Sequence, residues 1–172
     1  MRKSRDAFTL IELMISITIL SIVMLFLYKS YASLNMSNTF YTKELNKIKA
    51  QQEIKRVLFL DLSLAIDKKI KILNQESKED VMFIQTSNSI HRRYNPYVAY
   101  IVKESKLYRL ESLKEFKEYP LSNSSEFSVD YLGEVNSFRL YESKDKTKGS
   151  YLVHIDFKNS EEILQKVKVL AD

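Results

Sequence analysis

The chain of 172 residues has no cysteine and no tryptophan, and only two glycines and two prolines. Without cysteine there is no disulfide, no thiol nucleophile and no thiolate metal site, so stability rests on packing alone. Two glycines, Gly133 and Gly149, are too few for a glycine-rich phosphate loop or a nucleophile elbow. No proline precedes Pro96 and no glycine precedes Gly133, so nothing in the first half imposes a break on a helix. The scarcest feature is local: from Phe8 to Leu27 there is no lysine, arginine, aspartate, proline or glycine, and a single charged residue, Glu12.

An apolar run of this length can cross the roughly 30 Å hydrocarbon layer as a helix. A carboxylate inside such a span costs about 2.5–3.5 kcal/mol on insertion scales, so Glu12 requires a counterpart. The short leader Met1-Arg2-Lys3-Ser4-Arg5-Asp6-Ala7 is basic, which places the amino terminus in the cytoplasm and everything after Tyr28 on the other side. The formal charge is +5, and no special affinity for nucleic acid follows from it. A hydrophobic content of 45%, with 12% aromatic residues, supports one packed domain beyond the span and argues against disorder.

The segment Phe8-Thr9-Leu10-Ile11-Glu12-Leu13-Met14 behind that leader resembles the type IV prepilin signature. The resemblance implies cleavage between Ala7 and Phe8 by a prepilin peptidase and methylation of the new Phe8 amine. It also implies that Glu12 neutralises the Phe8 amine of a neighbouring subunit on assembly, which removes two unpaired charges together. Most relatives carry glycine before the cut; here the small Ala7 stands there. An ordinary secretory signal remains a rival reading, since Ser30-Tyr31-Ala32 offers small residues at a cleavage site, and it predicts a mature chain beginning at Ser33.

Beyond the membrane, Leu34, Asn38, Tyr41, Leu45, Ile48, Gln52, Lys55, Phe59, Leu62 and Ile66 recur at alternating spacings of four and three, one stripe of a helix. The pattern predicts a continuous helix from about Phe8 to about Ala65, with one face buried on a globular domain from about Leu45. A coiled coil with a partner helix is compatible with this stripe but is not required by it. After Asp67-Lys68-Lys69 the period turns strand-like: 69–73, 81–86, 97–103, 106–111, 127–132, 135–142, 151–157 and 163–170, with Gly133 and Gly149 at connections. The expected architecture is α+β: a cleaved leader (1–7), a membrane or filament-core half-helix (8–28), an amphipathic half-helix (29–66) and an antiparallel sheet domain (67–172).

The helix end Asp61-Leu62, the strand Tyr97-Val98-Ala99-Tyr100-Ile101-Val102 and the following Leu107-Tyr108-Arg109-Leu110-Glu111 look like the minor pseudopilins of the J type and the related W-type minor pilins. In those families the Asp-Leu pair closes the helix, and a tyrosine-centred strand leads into one that contains an arginine. Absence of a proline in the apolar half and of a cysteine pair favours, by the same resemblance, a minor over a major subunit. The implied role is a structural subunit that initiates or caps a filament of a type II secretion or type IV pilus system. The implied partners are other minor and major pilins or pseudopilins, the prepilin peptidase, the assembly platform and the inner membrane. A single-span anchored binding protein for DNA uptake or adhesion is the alternative.

No catalytic constellation accompanies these features, and no enzyme, cofactor or metal site is expected. His91 and His154 lie far apart, and the His91-Arg92-Arg93 cluster beside Tyr94 reads as a solvated loop. Asp145, Asp156 and Glu161-Glu162 are too dispersed for a calcium loop. Leu113 to Ser125, with Pro120 and a serine and asparagine cluster, reads as a loop, and Ser143 to Ser150, with Lys144, Lys146, Lys148 and Gly149, as an exposed, mobile tip.

Overall fold

The structure is a computed structural model that describes residues 9–66, 70–121, 126–143 and 149–170. One helix, α1 (Leu10–Ser63), is followed by seven strands among the described residues: β1 (Lys71–Leu73), β2 (Val81–Gln85), β3 (Tyr97–Lys103), β4 (Lys106–Ser112), β5 (Ser128–Glu142), β6 (Ser150–Phe157) and β7 (Ile163–Lys168). The strands form one antiparallel meander in sequence order. This is the expected α+β arrangement, with the carboxyl-terminal turns of α1 packed on the sheet. The chain separates after Ile48 into two compact units.

Within the second unit the core lies between the end of α1 and one face of the sheet. Leu58, Leu62 and Ala65 pack against Met82 and Ile84 of β2, Val98, Tyr100 and Val102 of β3, and Phe138, Leu140, Val153 and Ile155 of β5 and β6. The face of α1 that is covered runs through Gln51, Ile54, Leu58, Asp61, Leu62 and Ala65. It is displaced by about one residue from the stripe read in the sequence: Phe59 and Ile66 are exposed, and so are Leu45 and Ile48. Burial therefore begins at Gln51, not at Leu45, because the apolar residues that meet the sheet are Ile54, Leu58 and Leu62.

The last carbonyls of α1 find partners outside the helix, as a buried helix end requires. Leu64 O accepts from Ser87 N at 3.0 Å and Thr86 Oγ1 at 3.2 Å, and Ser63 O accepts from Leu170 N at 2.9 Å. The opposite face of the sheet carries a second core: Val81, Phe83, Ala99, Ile101 and Leu110 lie under Phe116, with Tyr119, Leu121 and Phe127 against them. The segment after β4 is a loop anchored on this face by Phe116, which stacks on Phe83 at 6.0 Å between ring centroids, while Leu113 and its polar neighbours stay exposed.

Gly133 is not at a connection. It sits inside the 15-residue β5, beside an irregularity in the β4–β5 register, where φ is +145° and a Cβ would stand 2.9 Å from Phe157 Cε1. Here the strand passes from pairing with β4 to pairing with β6. The meander curls back on itself, since Asp80 N donates to Phe138 O at 2.9 Å and Phe138 N to Lys78 O at 3.0 Å. The β3–β4 hairpin has the two-residue turn Glu104-Ser105 with φ of 54° and 57°. Both residues are left-handed, as a type I′ turn demands, although neither is glycine or asparagine.

Candidate functional site

Glu12 lies in the first turn of α1, and its surroundings are local. Thr9 precedes the helix, with Leu13 N donating to Thr9 O at 3.2 Å as the first helical bond. Glu12 N donates to Thr9 Oγ1 at 3.3 Å, while Thr9 N and Thr9 Oγ1 both donate to Glu12 Oε2 at 2.9 Å. This reciprocal arrangement is a capping box, in which the threonine hydroxyl and the carboxylate three residues on satisfy two otherwise orphaned amides. The spacing Thr-x-x-Glu is legible in Thr9-Leu10-Ile11-Glu12, so Thr9 could have been named from the sequence alone.

The capping box has two consequences. A negative group at the amino-terminal end of a helix is favoured by the helix dipole, which offsets part of the cost of a carboxylate in an apolar segment. It also spends only one oxygen, for Oε1 has no hydrogen bond among the described residues. Among the described residues Glu12 therefore keeps an acceptor oxygen beyond the capping box. Ala7 and Phe8, the expected cleavage pair, lie outside the described residues. All large apolar side chains from Leu10 to Leu27 are exposed in the isolated chain, and α1 is long and apolar enough there to cross a membrane.

Residues 2–28 match the family model of the prokaryotic N-terminal methylation motif. The match supports a type IV prepilin-like protein. It covers the leader and the apolar half of α1 and leaves the sheet domain untouched. No curated protein matches the chain. The motif and the apolar helix together fit a membrane anchor, and they suggest a structural subunit rather than an enzyme.

A second cluster of ionisable groups is buried where α1 ends. Arg109 on β4 donates from Nε to Asp61 Oδ2 at 2.7 Å, from Nη2 to Asp61 Oδ1 at 3.2 Å, and from Nη1 to Glu111 Oε2 at 2.7 Å. Tyr100 Oη donates to Asp61 Oδ2 at 2.7 Å, and Asn88 Nδ2 to Asp61 Oδ1 at 2.7 Å. Asp61, Tyr100, Arg109 and Glu111 are all at 0% exposure. The register places Tyr100 opposite Arg109 on the helix-facing side of the sheet, which is why a charged residue of β4 points inward.

The geometry explains the electrostatics. Asp61 stands in the last turn of α1, where the dipole disfavours an anion, and the bidentate guanidinium offsets it. Burial drives the Tyr100 phenol well above its ordinary range, and the Asp61 charge pushes it the same way. Burial works against the Arg109 charge, but the bonds to Asp61 and the Asp61 charge prevail, so its proton is held more tightly than usual. Burial also works against the Glu111 carboxylate. Hydrogen bonds from Ser89 Oγ (2.6 Å), Arg109 and Ile90 N (3.1 Å) outweigh it and hold Glu111 below its ordinary value.

These bonds clamp the 86–96 loop over the helix end. Arg93 joins in through Glu111 O and through Ser128 Oγ at 3.0 Å, and His91 Nε2 lies 3.1 Å from Asp130, whose Oδ2 is 3.3 Å from Arg109. His91 and Arg93, read as part of a solvated basic loop, are thus engaged with their own domain. With Asp61, Tyr100, Arg109 and Glu111 sealed from solvent and satisfied by one another and by the loop, the cluster is a structural clamp. His154 pairs with Glu162 at 3.2 Å on the surface, 29% exposed, far in sequence from this cluster.

Proposed function

We propose that the protein is a minor pilin or pseudopilin, a non-catalytic subunit that initiates or caps a filament of a type II secretion or type IV pilus system. In this reading the precursor is held in the bacterial inner membrane by residues 8–28, with the leader in the cytoplasm and the sheet domain in the periplasm. Cleavage between Ala7 and Phe8 by the prepilin peptidase frees an amine, methylated on Phe8. Glu12 of one subunit then takes up the amine of another as the helix leaves lipid for the filament. The sheet domain meets sibling subunits, and the assembly platform drives insertion.

The observation that carries this reading is the coincidence of the methylation motif over residues 2–28 with a lone carboxylate in the first turn of an uninterrupted helix. Thr9 occupies one oxygen of Glu12 and leaves the other available, as an intermolecular ion pair requires. The minor role is supported by the absence of proline throughout Leu10–Ser63 and of any cysteine.

Sequencing the mature protein tests the proposal directly. A methylated Phe8 at the amino terminus is expected, together with a Glu12→Val variant that enters the membrane normally but fails to assemble. A functional protein that retains Met1 and tolerates Glu12→Val would instead be a plain anchored binding domain.

A further inference from the structure

The stripe read along α1 from Leu34, extended one turn back by Tyr31, is left uncovered as far as Ile48. Tyr31 and Leu34 are each 70% exposed, and Tyr41, Leu45 and Ile48 are more than half exposed. The sheet engages a differently phased face that starts at Gln51. Five large apolar side chains thus align beyond the membrane-spanning run and stay largely exposed, Tyr41 meeting only the edge of its neighbour Phe40 among the ring contacts of the described residues.

Their spacing is that of a coiled-coil seam. With Tyr31, Asn38 and Leu45 at the a positions, Leu34, Tyr41 and Ile48 fall at d, giving three consecutive a/d pairs. The f and c positions opposite the seam are mixed, with Met36 and Phe40 exposed there in the first two heptads and Lys43 and Lys47 following toward Ile48. Two features select the occupant. A single polar residue at an a position is satisfied when it meets its own counterpart, which favours a parallel, in-register pair: only then does Asn38 face Asn38 and not Tyr31 or Leu45. In that register the g residue Glu44 of one helix lies beside the e residue Lys49 of the other, an attractive pair made twice by symmetry.

We propose that residues 31–48 form a parallel, in-register helix pair with a second copy of this chain, joined along Tyr31, Leu34, Asn38, Tyr41, Leu45 and Ile48. The pairing needs neither leader removal nor a neighbouring amine, so it stands apart from the filament reading. It makes a homodimer the form in which the anchored protein resides in the membrane.

The absence of cysteine makes the test clean. Single substitutions Leu34→Cys, Tyr41→Cys, Leu45→Cys and Ile48→Cys are compared with Met36→Cys, Lys43→Cys and Lys47→Cys in the full-length chain in its own membrane, oxidised with copper phenanthroline. The a and d variants are expected to form a disulfide species of twice the chain mass, because only there do identical positions approach within the Cα separation a disulfide tolerates. The other three should form several-fold less. Glu44→Lys should reduce the Leu45→Cys cross-link by roughly two- to fivefold, the range a surface ion pair supplies, and Lys49→Glu in the same chain should restore it. The cysteine positions and Glu44 lie in the first compact unit, and Lys49 is exposed at the start of the second, so loss of folding does not intervene. Equal cross-linking in both sets, no dimer in either, or a product joined to a chain of different mass would each overturn the proposal.

Discussion

Replacing Arg109 by methionine removes the cation from a cluster of sealed carboxylates while keeping a long apolar side chain in its place. Asp61 would keep Tyr100 and Asn88, and Glu111 would keep Ser89 and the Ile90 amide, but two buried anions would lose their common counter-ion. Breaking one partner out of such a cluster costs about 3–5 kcal/mol, a large share of the roughly 5–15 kcal/mol that holds a domain together. With a urea slope of about 2 kcal/mol/M, the midpoint followed by tyrosine near-ultraviolet dichroism should fall by about 2 M. The loss must also depend on pH. Glu111 has its carboxyl below its ordinary value of 4.5 in the folded state. The stability it contributes is present above the unfolded value and fades as pH falls through the folded one. In the variant nothing cationic favours that carboxylate, so protonation relieves it, and the gap between the two proteins should narrow on acidification below about pH 4.5. A loss under about 1 kcal/mol at neutral pH, or a gap that widens in acid, would refute the clamp.

Other perturbations separate the remaining claims. Glu104→Asn with Ser105→Gly gives the β3–β4 turn residues suited to positive φ, and should raise stability by about 1 kcal/mol in the same denaturation assay. Gly133→Ala places a Cβ against the Phe157 ring at a backbone angle that favours glycine, and should cost about 2 kcal/mol. Thr9→Ala removes half of the capping box, so amide exchange in the first turn of α1 should quicken by a factor of about 5, equivalent to roughly 1 kcal/mol.

Much of the fold is legible because local pattern and global structure agree. The near-continuous apolar and aromatic run of Tyr97 to Val102 and the β-rich segment Lys106 to Glu111 mark β3 and β4 to within a residue, since both faces of these strands are largely buried. The long helix follows from the lack of any breaker. What resists reading is set by contacts distant in sequence. Gly133 looks like punctuation, but β5 runs straight through it because Phe157 needs the space a side chain would fill. The stripe on α1 looks continuous from Leu34 to Ile66, yet the sheet takes another phase from Gln51 onward, since the domain selects Ile54, Leu58 and Leu62. Arg109 stands in a strand like any surface arginine, and only register against Tyr100 turns it inward to Asp61. The same holds at the amino terminus in reverse: the Thr9–Glu12 box is wholly local and therefore readable, whereas the pairing proposed for Glu12 depends on a second chain that no single sequence contains. Residues whose partners are close in sequence can be assigned from pattern; residues whose partners lie on another strand or another subunit are assigned by packing, and these include the charged groups on which both the clamp and the proposed assembly depend.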